Sequence, residues 1–147
     1  ACYVCIHEIC QQNPNISLDQ VDTEPGCWRP YSHHGSTVHL KPDLFLAMKC
    51  GEYEDRWFIE IDLATESPAT ILKKCERYYD YYRTNLEQRK HGVFPAIIWI
   101  VPDKARKEVL QTTIAKANQK NTKMFLIIMP DDLEKIIVNG FDSKDLC

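Results

Sequence analysis

The sequence has no apolar run approaching about 20 residues, the length that a helix needs to cross a bilayer. The given N-terminus also lacks a basic segment followed by an apolar core and a cleavage site, so the sequence predicts no secretory signal peptide there. No glycine-rich loop of either standard phosphate-binding type is found, which removes the common nucleotide-binding signatures. The 147 residues that remain to be explained fit one globular domain, expected to span residues 1–147.

The seven cysteines do not form the pattern of a disulfide scaffold, which is usually shorter, richer in cysteine and evenly paired. Cys50 and Cys75 lie inside segments with regular apolar spacing, as buried free thiols do. The cysteine usage therefore predicts a reducing, cytoplasmic setting.

The net charge of −3 conceals a strong asymmetry along the chain. Residues 1–70 carry 4 basic and 11 acidic side chains, whereas residues 71–123 carry 12 basic and 5 acidic ones. An acidic segment followed by a basic one is a pattern that a function should explain.

The apolar spacing predicts the element order α-β-β-β-α-β-α-β-α. Three strands come first and two further strands are joined by helical crossovers, so the expected fold class is α/β, a mixed central sheet flanked by helices. A loop is expected between Cys27 and Thr37. The predicted strands and helices cover residues 1–12, 16–21, 38–48, 56–63, 67–88, 94–101, 103–118, 124–129 and 131–138.

Two short polar motifs are the candidate catalytic and metal-binding residues. Lys41 and Asp43 share one face if they lie on a strand, and Glu60 and Asp62 share a face for the same reason. If the two strands form a hairpin, Asp43 and Glu60 come within reach of one divalent cation. Oxygen ligands suit Mg²⁺ or Mn²⁺, which polarise phosphate oxygens. The alternative is that these carboxylates are simply solvated on an exposed sheet face.

A basic stretch on the following helices is the candidate DNA-binding surface, because phosphate contacts need concentrated positive charge. Tyr81 is predicted on this polar side of the helix, whereas Tyr78, Tyr79 and Tyr82 belong to its apolar stripe. The alternative is a solvated helix face with interspersed acidic residues. The candidate DNA-binding residues are Lys73, Lys74, Arg77, Lys104, Arg106 and Lys107.

A series of phrases between residues 20 and 110 resembles the replication-relaxation family of plasmids and integrative elements. Their order and spacing carry the likeness, since no phrase is specific by itself. The arrangement of elements around Pro42-Asp43 and Glu60 is also similar to the PD-(D/E)XK nuclease-like fold. The phrases are Glu24 with Cys27-Trp28-Arg29, Leu40-Lys41-Pro42-Asp43, Phe58-Ile59-Glu60-Ile61-Asp62, Thr65-Glu66-Ser67, Lys74 with Tyr78 and Tyr82, Gly92-Val93-Phe94-Pro95, and Val101-Pro102 with Arg106.

The resemblance implies a DNA-associated role in replication or relaxation of a mobile element, with DNA and other replication or transfer proteins as partners. Members of the family typically carry a winged-helix segment before this domain. The chain starts at Ala1 without such a segment, so we expect it to be a C-terminal fragment of a longer protein.

The sequence departs from the nuclease pattern at one position. An active PD-(D/E)XK enzyme is expected to carry lysine two residues after the glutamate, where this chain has Asp62. Lys41 is the first candidate to replace that lysine, with Lys73 and Lys74 as others. The site is therefore expected to be degenerate: it binds Mg²⁺ or Mn²⁺ and nicks DNA, or it binds DNA without cleavage, which the acidic residue slightly favours. A non-catalytic protein-interaction module in a plasmid replication or transfer complex is the alternative function.

Overall fold

The computed structural model describes residues 2–117 and 123–147, and it confirms the expected mixed α/β class. The last residue of the helix predicted over residues 103–118 lies outside the described residues. The helices are α1 Cys2–Gln12, α2 Pro68–Arg83, α3 Leu86–His91, α4 Lys104–Ala117 and α5 Leu133–Asn139, and the strands are β1 Ile16–Thr23, β2 Arg29–His33, β3 Ser36–Leu40, β4 Leu44–Cys50, β5 Tyr53–Ile61, β6 Ala96–Ile100 and β7 Phe125–Ile128.

Five strands form the central sheet in the order β1-β4-β5-β6-β7. The strands β1, β4 and β5 pair antiparallel, as in a meander. The strands β5, β6 and β7 pair parallel, because helices carry the chain back between β5 and β6 and between β6 and β7. The β4–β5 register pairs Leu44 with Ile59, so the residues just beyond this pair, Asp43 and Glu60, lie opposite one another. The expected hairpin between these two segments is thus confirmed.

Helices cover both faces of the sheet, so neither face is the exposed polar one that the alternation suggested. Phe45, Phe58 and Trp99 pack on the side of α2 and α4, while Leu46 and Ile59 pack on the side of α1 and α5. Glu60 therefore points into an interior that α2 covers. Ile61, which follows Glu60 and points the other way, is 37% exposed.

The predicted loop at residues 27–37 is wrong, because this segment forms most of a separate β2–β3 hairpin. His34 and Gly35 make its two-residue turn with φ values of 48° and 79°, the left-handed geometry that such turns require. The sequence concealed the hairpin because Pro30 lies within β2 and few of the residues are typical of strands. Tyr31 packs against Tyr81 of α2 and anchors the hairpin to the main domain.

The long helix predicted from residue 67 to residue 88 is two helices. Ser67 caps α2, its hydroxyl accepting from the Thr70 N–H at 3.2 Å. The helix ends near Thr84, where Asn85 adopts a left-handed φ of 58°. The break brings Glu87 of α3 under Tyr81, whose hydroxyl donates to it at 2.8 Å, so Tyr81 is buried and not on the polar side as predicted.

Candidate functional site

Asp43 occupies the short link between β3 and β4. The predicted single strand over residues 38–48 is wrong, since it splits into two strands that belong to different sheets, with residues 41–43 between them. The Asp43 N–H donates to the Ile59 carbonyl at 3.0 Å, and its carboxylate accepts from the Ile61 N–H at 2.7 Å. These two bonds fix the carboxylate beside the end of β5. Burial raises the pKa of Asp43, against the lowering effect of the Ile61 N–H.

Glu60 is the buried carboxyl group at the centre of the site, with 2% of the residue exposed. Its Oε1 accepts a 2.7 Å hydrogen bond from the hydroxyl of Tyr78 on α2. Burial raises the pKa of Glu60 to about 8, and the neighbouring Asp43 carboxylate adds to this effect, while Tyr78 and Lys74 oppose it. The buried surroundings therefore favour the protonated form of this carboxyl group.

Lys74 reaches the same place from α2. Its ammonium lies 2.7 Å from Glu66 Oε1 and 3.8 Å from Glu60 Oε2. Burial acts to lower the pKa of Lys74, but the hydrogen bond to Glu66 and the charge at Glu60 raise it overall, so the side chain stays cationic. The lysine next to the central glutamate is thus supplied by the helix, not by position 62.

Asp62 has a different partner from the metal ion that the sequence suggested. Both Glu60 and Asp62 point to the side of α2 and α4, as their two-residue spacing predicts, but both Asp62 oxygens accept from Arg106 of α4, at 2.7 and 2.9 Å. Arg106 also donates to the Glu66 carbonyl at 3.0 Å. The Asp62 side chain is fully buried, so this ion pair ties β5 to α4.

Lys41 does not share a strand face with Asp43, because neither residue lies on a strand. Its ammonium lies 4.6 Å from the centre of the Trp28 ring, a distance typical of a cation–π contact. The side chain still borders the same cavity as Glu60. The structure thus brings Lys41 to the site while directing its charge toward Trp28.

Lys41, Glu60 and Lys74 border a cavity of about 300 Å³, and we call it the α2 groove. It runs between the first half of α2 and the end of β3, with Glu60 and Tyr78 at its floor. Three of the six predicted DNA-binding residues border it. The residues that define the α2 groove are Leu40, Lys41, Glu60, Thr70, Lys73, Lys74, Arg77 and Tyr78.

The other three predicted DNA-binding residues lie on α4 and do not border this groove. Arg106 is engaged by Asp62, Lys104 is exposed at the start of the helix, and Lys107 faces a second cavity at the sheet edge. The basic stretch of the sequence is therefore divided between separate surfaces.

Sequence reasoning assigned no role in the site to Tyr78, whose tyrosine ring was read as core packing. The ring is indeed buried, but its hydroxyl is the hydrogen-bond donor to Glu60. A polar group at the end of a buried aromatic side chain needs a partner, and this requirement is the signal that could have identified it. Glu66, just before the Ser67 cap, also belongs to the site, because its carboxylate accepts from Lys74.

The oxygen ligands are too few for a metal centre held by protein alone. Among residues 2–117 and 123–147, no three His, Cys, Asp or Glu side chains are grouped to hold an ion. Asp43 and Glu60 remain as an adjacent pair, and Mg²⁺ is commonly held by one or two carboxylates with water completing its shell. The Oε2 atom of Glu66, beside Lys74, is buried and has no hydrogen-bond partner in the described part of the chain. The cluster thus retains acceptor capacity for a cation.

A protein-family model described as replication-relaxation matches residues 3–97, which include β1 to β5, α2 and the whole α2 groove. No curated protein and no solved structure matches the chain. None of the helices in the described residues has the length and apolar character needed to cross a membrane.

Proposed function

Because the chain belongs to the replication-relaxation family, we propose that it serves the replication of a mobile element by holding DNA in the α2 groove. The observation that carries this proposal is the gathering of Lys41, Lys73, Lys74 and Arg77 around one cavity. In the sequence, one of these residues lies in the acidic segment and the other three lie in the basic segment. The seven free thiols also support the expected cytoplasmic location.

The electrostatics of the groove suit a phosphate group. Lys73 and Arg77 are exposed and form no hydrogen bond or ion pair with the rest of the described chain, so their charges are free for a ligand. The raised pKa of Glu60 reduces the negative charge that would repel phosphate. The volume suits one phosphate with part of its sugar, so the remaining DNA would lie along α2.

Charge reversal at the rim of the groove tests this proposal. We expect Lys73→Glu with Arg77→Glu to weaken binding of a fluorescent duplex at least about tenfold at low salt. The slope of log Kd against log salt should fall by about 2, because two phosphate contacts no longer release counterions. Fluorescence anisotropy over a salt series measures both quantities.

The matched control is Lys49→Glu with Lys90→Glu, which makes the same change in net charge at exposed positions away from the groove. This variant should bind with nearly the parent affinity. Equal losses in the two variants would show a general charge effect. An unchanged affinity in the groove variant would place the DNA interface elsewhere.

We also propose that Asp43 and Glu60 hold Mg²⁺ or Mn²⁺ weakly, with the Glu60 proton released as the ion binds, and that the domain nicks DNA when the ion is bound. The observation that favours this second function is the position of Lys74, which supplies from α2 the positive charge that position 62 lacks. A bound ion would polarise a phosphate oxygen. Lys74 would then stabilise negative charge on the phosphate, and Lys41 would hold the backbone at the rim.

Metal titration provides the test of this second function. Calorimetry with millimolar Mn²⁺ should show a binding heat that disappears in Asp43→Asn, because one of the two carboxylate ligands is lost. Asp131→Asn, an exposed aspartate outside the groove, should retain the parent heat. A parent protein that shows no Mn²⁺ heat and leaves supercoiled plasmid intact would exclude the nicking function while leaving the DNA-binding proposal standing.

A further inference from the structure

The geometry points to a docking groove for an acidic peptide segment of a partner protein at the outer edge of the sheet. A cavity of about 690 Å³ lies along β7, between α4, α5 and residues 141–147, and we call it the edge groove. It shares no lining residue with the α2 groove. This surface would serve a function beyond DNA binding, since it could join the domain to another protein.

Positive charge dominates the walls of the edge groove. The lysines that line it come from α4, the segment just before β7, α5 and the C-terminal segment, and they are Lys107, Lys123, Lys135 and Lys144. Only Lys144 has an ion-pair partner within the described residues, the largely exposed Asp142 at 3.5 Å. Four lysines from four parts of the fold therefore border one concave surface, and the ligand that complements them is anionic.

The two aspartates in the lining offset this charge only in part, because four lysines line the same groove. Each aspartate also has an oxygen that accepts a hydrogen bond from the backbone. Asp132 accepts from the Met129 N–H at 3.1 Å, and Asp145 accepts from the Asp142 N–H at 3.3 Å. Both bonds hold turns of the chain in place. The two aspartates thus shape the groove, while the lysines remain available to a partner.

The base of the edge groove is apolar, and this favours a peptide over a nucleic acid. Leu126, Ile128 and Ile136 are buried beneath it, and Phe141 and Leu146 are half-buried at its side. A phosphate backbone gains little from such a floor. A peptide with an apolar side chain between acidic ones satisfies both the floor and the walls.

The backbone of β7 shows that this edge can pair with extended chain. The N–H and C=O of Phe125 bond to the C=O and N–H of Cys147, at 3.2 and 2.7 Å. The pairing involves the final residue of the chain, and β7 is the terminal strand of the sheet. An extended segment is therefore the conformation that the partner is expected to adopt where it meets β7.

The test selects peptides from a random phage-displayed library on the immobilised full chain. We expect the enriched sequences to combine acidic residues with an apolar one. A synthetic peptide of the consensus sequence should bind at least about tenfold more weakly to Lys135→Glu with Lys144→Glu, because two attractive contacts become repulsive. The control pair Lys49→Glu with Lys90→Glu should bind it as the parent does, and so should Lys73→Glu with Arg77→Glu. Circular dichroism checks that each variant is folded.

Three results would overturn the inference: no enriched sequence, an enriched sequence without acidic residues, or a peptide affinity that is unchanged by the charge reversal at Lys135 and Lys144. A fourth would reassign the surface. If a DNA duplex displaces the peptide and its own affinity depends on Lys135 and Lys144, the edge groove binds nucleic acid. None of these outcomes bears on the α2 groove, which is tested by its own variants.

Discussion

Glu60→Gln is expected to stabilise the protein against unfolding by about 3–5 kcal/mol at pH 8 and above. The carboxyl group is buried beside Asp43 and has its pKa raised to about 8, from an ordinary value of 4.5. Glutamine has the same shape, accepts the Tyr78 hydrogen bond and never ionises. The substitution therefore removes the cost of holding an ionisable group in this interior.

The sign of the pH dependence follows from proton binding. Between pH 4.5 and about 8 the folded protein keeps a proton on Glu60 that the unfolded chain releases, so the free energy of unfolding of the parent falls as pH rises through this window. The groups that face Glu60 are Tyr78, Asp43 and Lys74, with Glu66 next to Lys74. Asp43 also has a raised pKa, but it is retained in both proteins and largely cancels in the comparison.

Urea unfolding of the parent and of Glu60→Gln at several pH values measures this effect. The two curves should nearly coincide at about pH 4.5 and separate steadily up to about pH 8. Glu52→Gln, at an exposed position, serves as the control and should show no such separation. A Glu60→Gln variant that is less stable than the parent at pH 8 would show that Glu60 is ionised and needed by Lys74. A stabilised variant would mark a residue retained at a cost to stability, as functional residues often are.

Arg106→Ala is expected to destabilise the protein by about 3–5 kcal/mol, because it leaves the Asp62 carboxylate buried without a partner. The lost contacts are two hydrogen bonds to that carboxylate and one to the Glu66 carbonyl. Lys104→Ala, two residues away and exposed, should change the free energy of unfolding by less than about 0.5 kcal/mol. Chemical denaturation at neutral pH gives both values.

The double variant Asp62→Ala with Arg106→Ala separates the ion pair from simple loss of packing. It should recover part of the stability lost in Arg106→Ala, since no unpaired buried charge remains. Losses that add without recovery would contradict the account of a charge stranded by the single change. The recovery should be incomplete because the bond from Arg106 to the Glu66 carbonyl is absent in both variants.

This ion pair also changes how the nuclease hypothesis can be tested. The sequence suggests that lysine at position 62 would restore the usual PD-(D/E)XK pattern. In the structure, Asp62→Lys would place an ammonium against the Arg106 guanidinium at a fully buried position. Loss of the fold would then hide any gain in activity. Lys74 is the better residue to examine, because it already lies beside Glu60.

The sequence by itself determined the features that depend on local periodicity. The two-residue alternation placed Glu60 and Asp62 on one face, and the Ser67-Pro68 cap located the start of α2, both as observed. The buried strands β6 and β7 were recognisable from their continuous apolar runs. Such patterns are readable because each requires only the residue and its near neighbours in the chain.

Tertiary structure alone decided which partner each polar group takes. Asp62 binds an arginine 44 residues later, and Lys74 supplies the charge beside Glu60 across the gap between helix and sheet. The β2–β3 hairpin and the break at Asn85 escaped prediction for the same reason. Both segments are held in place by contacts with Tyr81. Tyr31, remote from Tyr81 in sequence, anchors the hairpin, and Glu87, beyond the break, anchors α3. A buried charge is stable only beside its counter-charge, and spacing along a chain cannot show which distant residue the fold will bring to it.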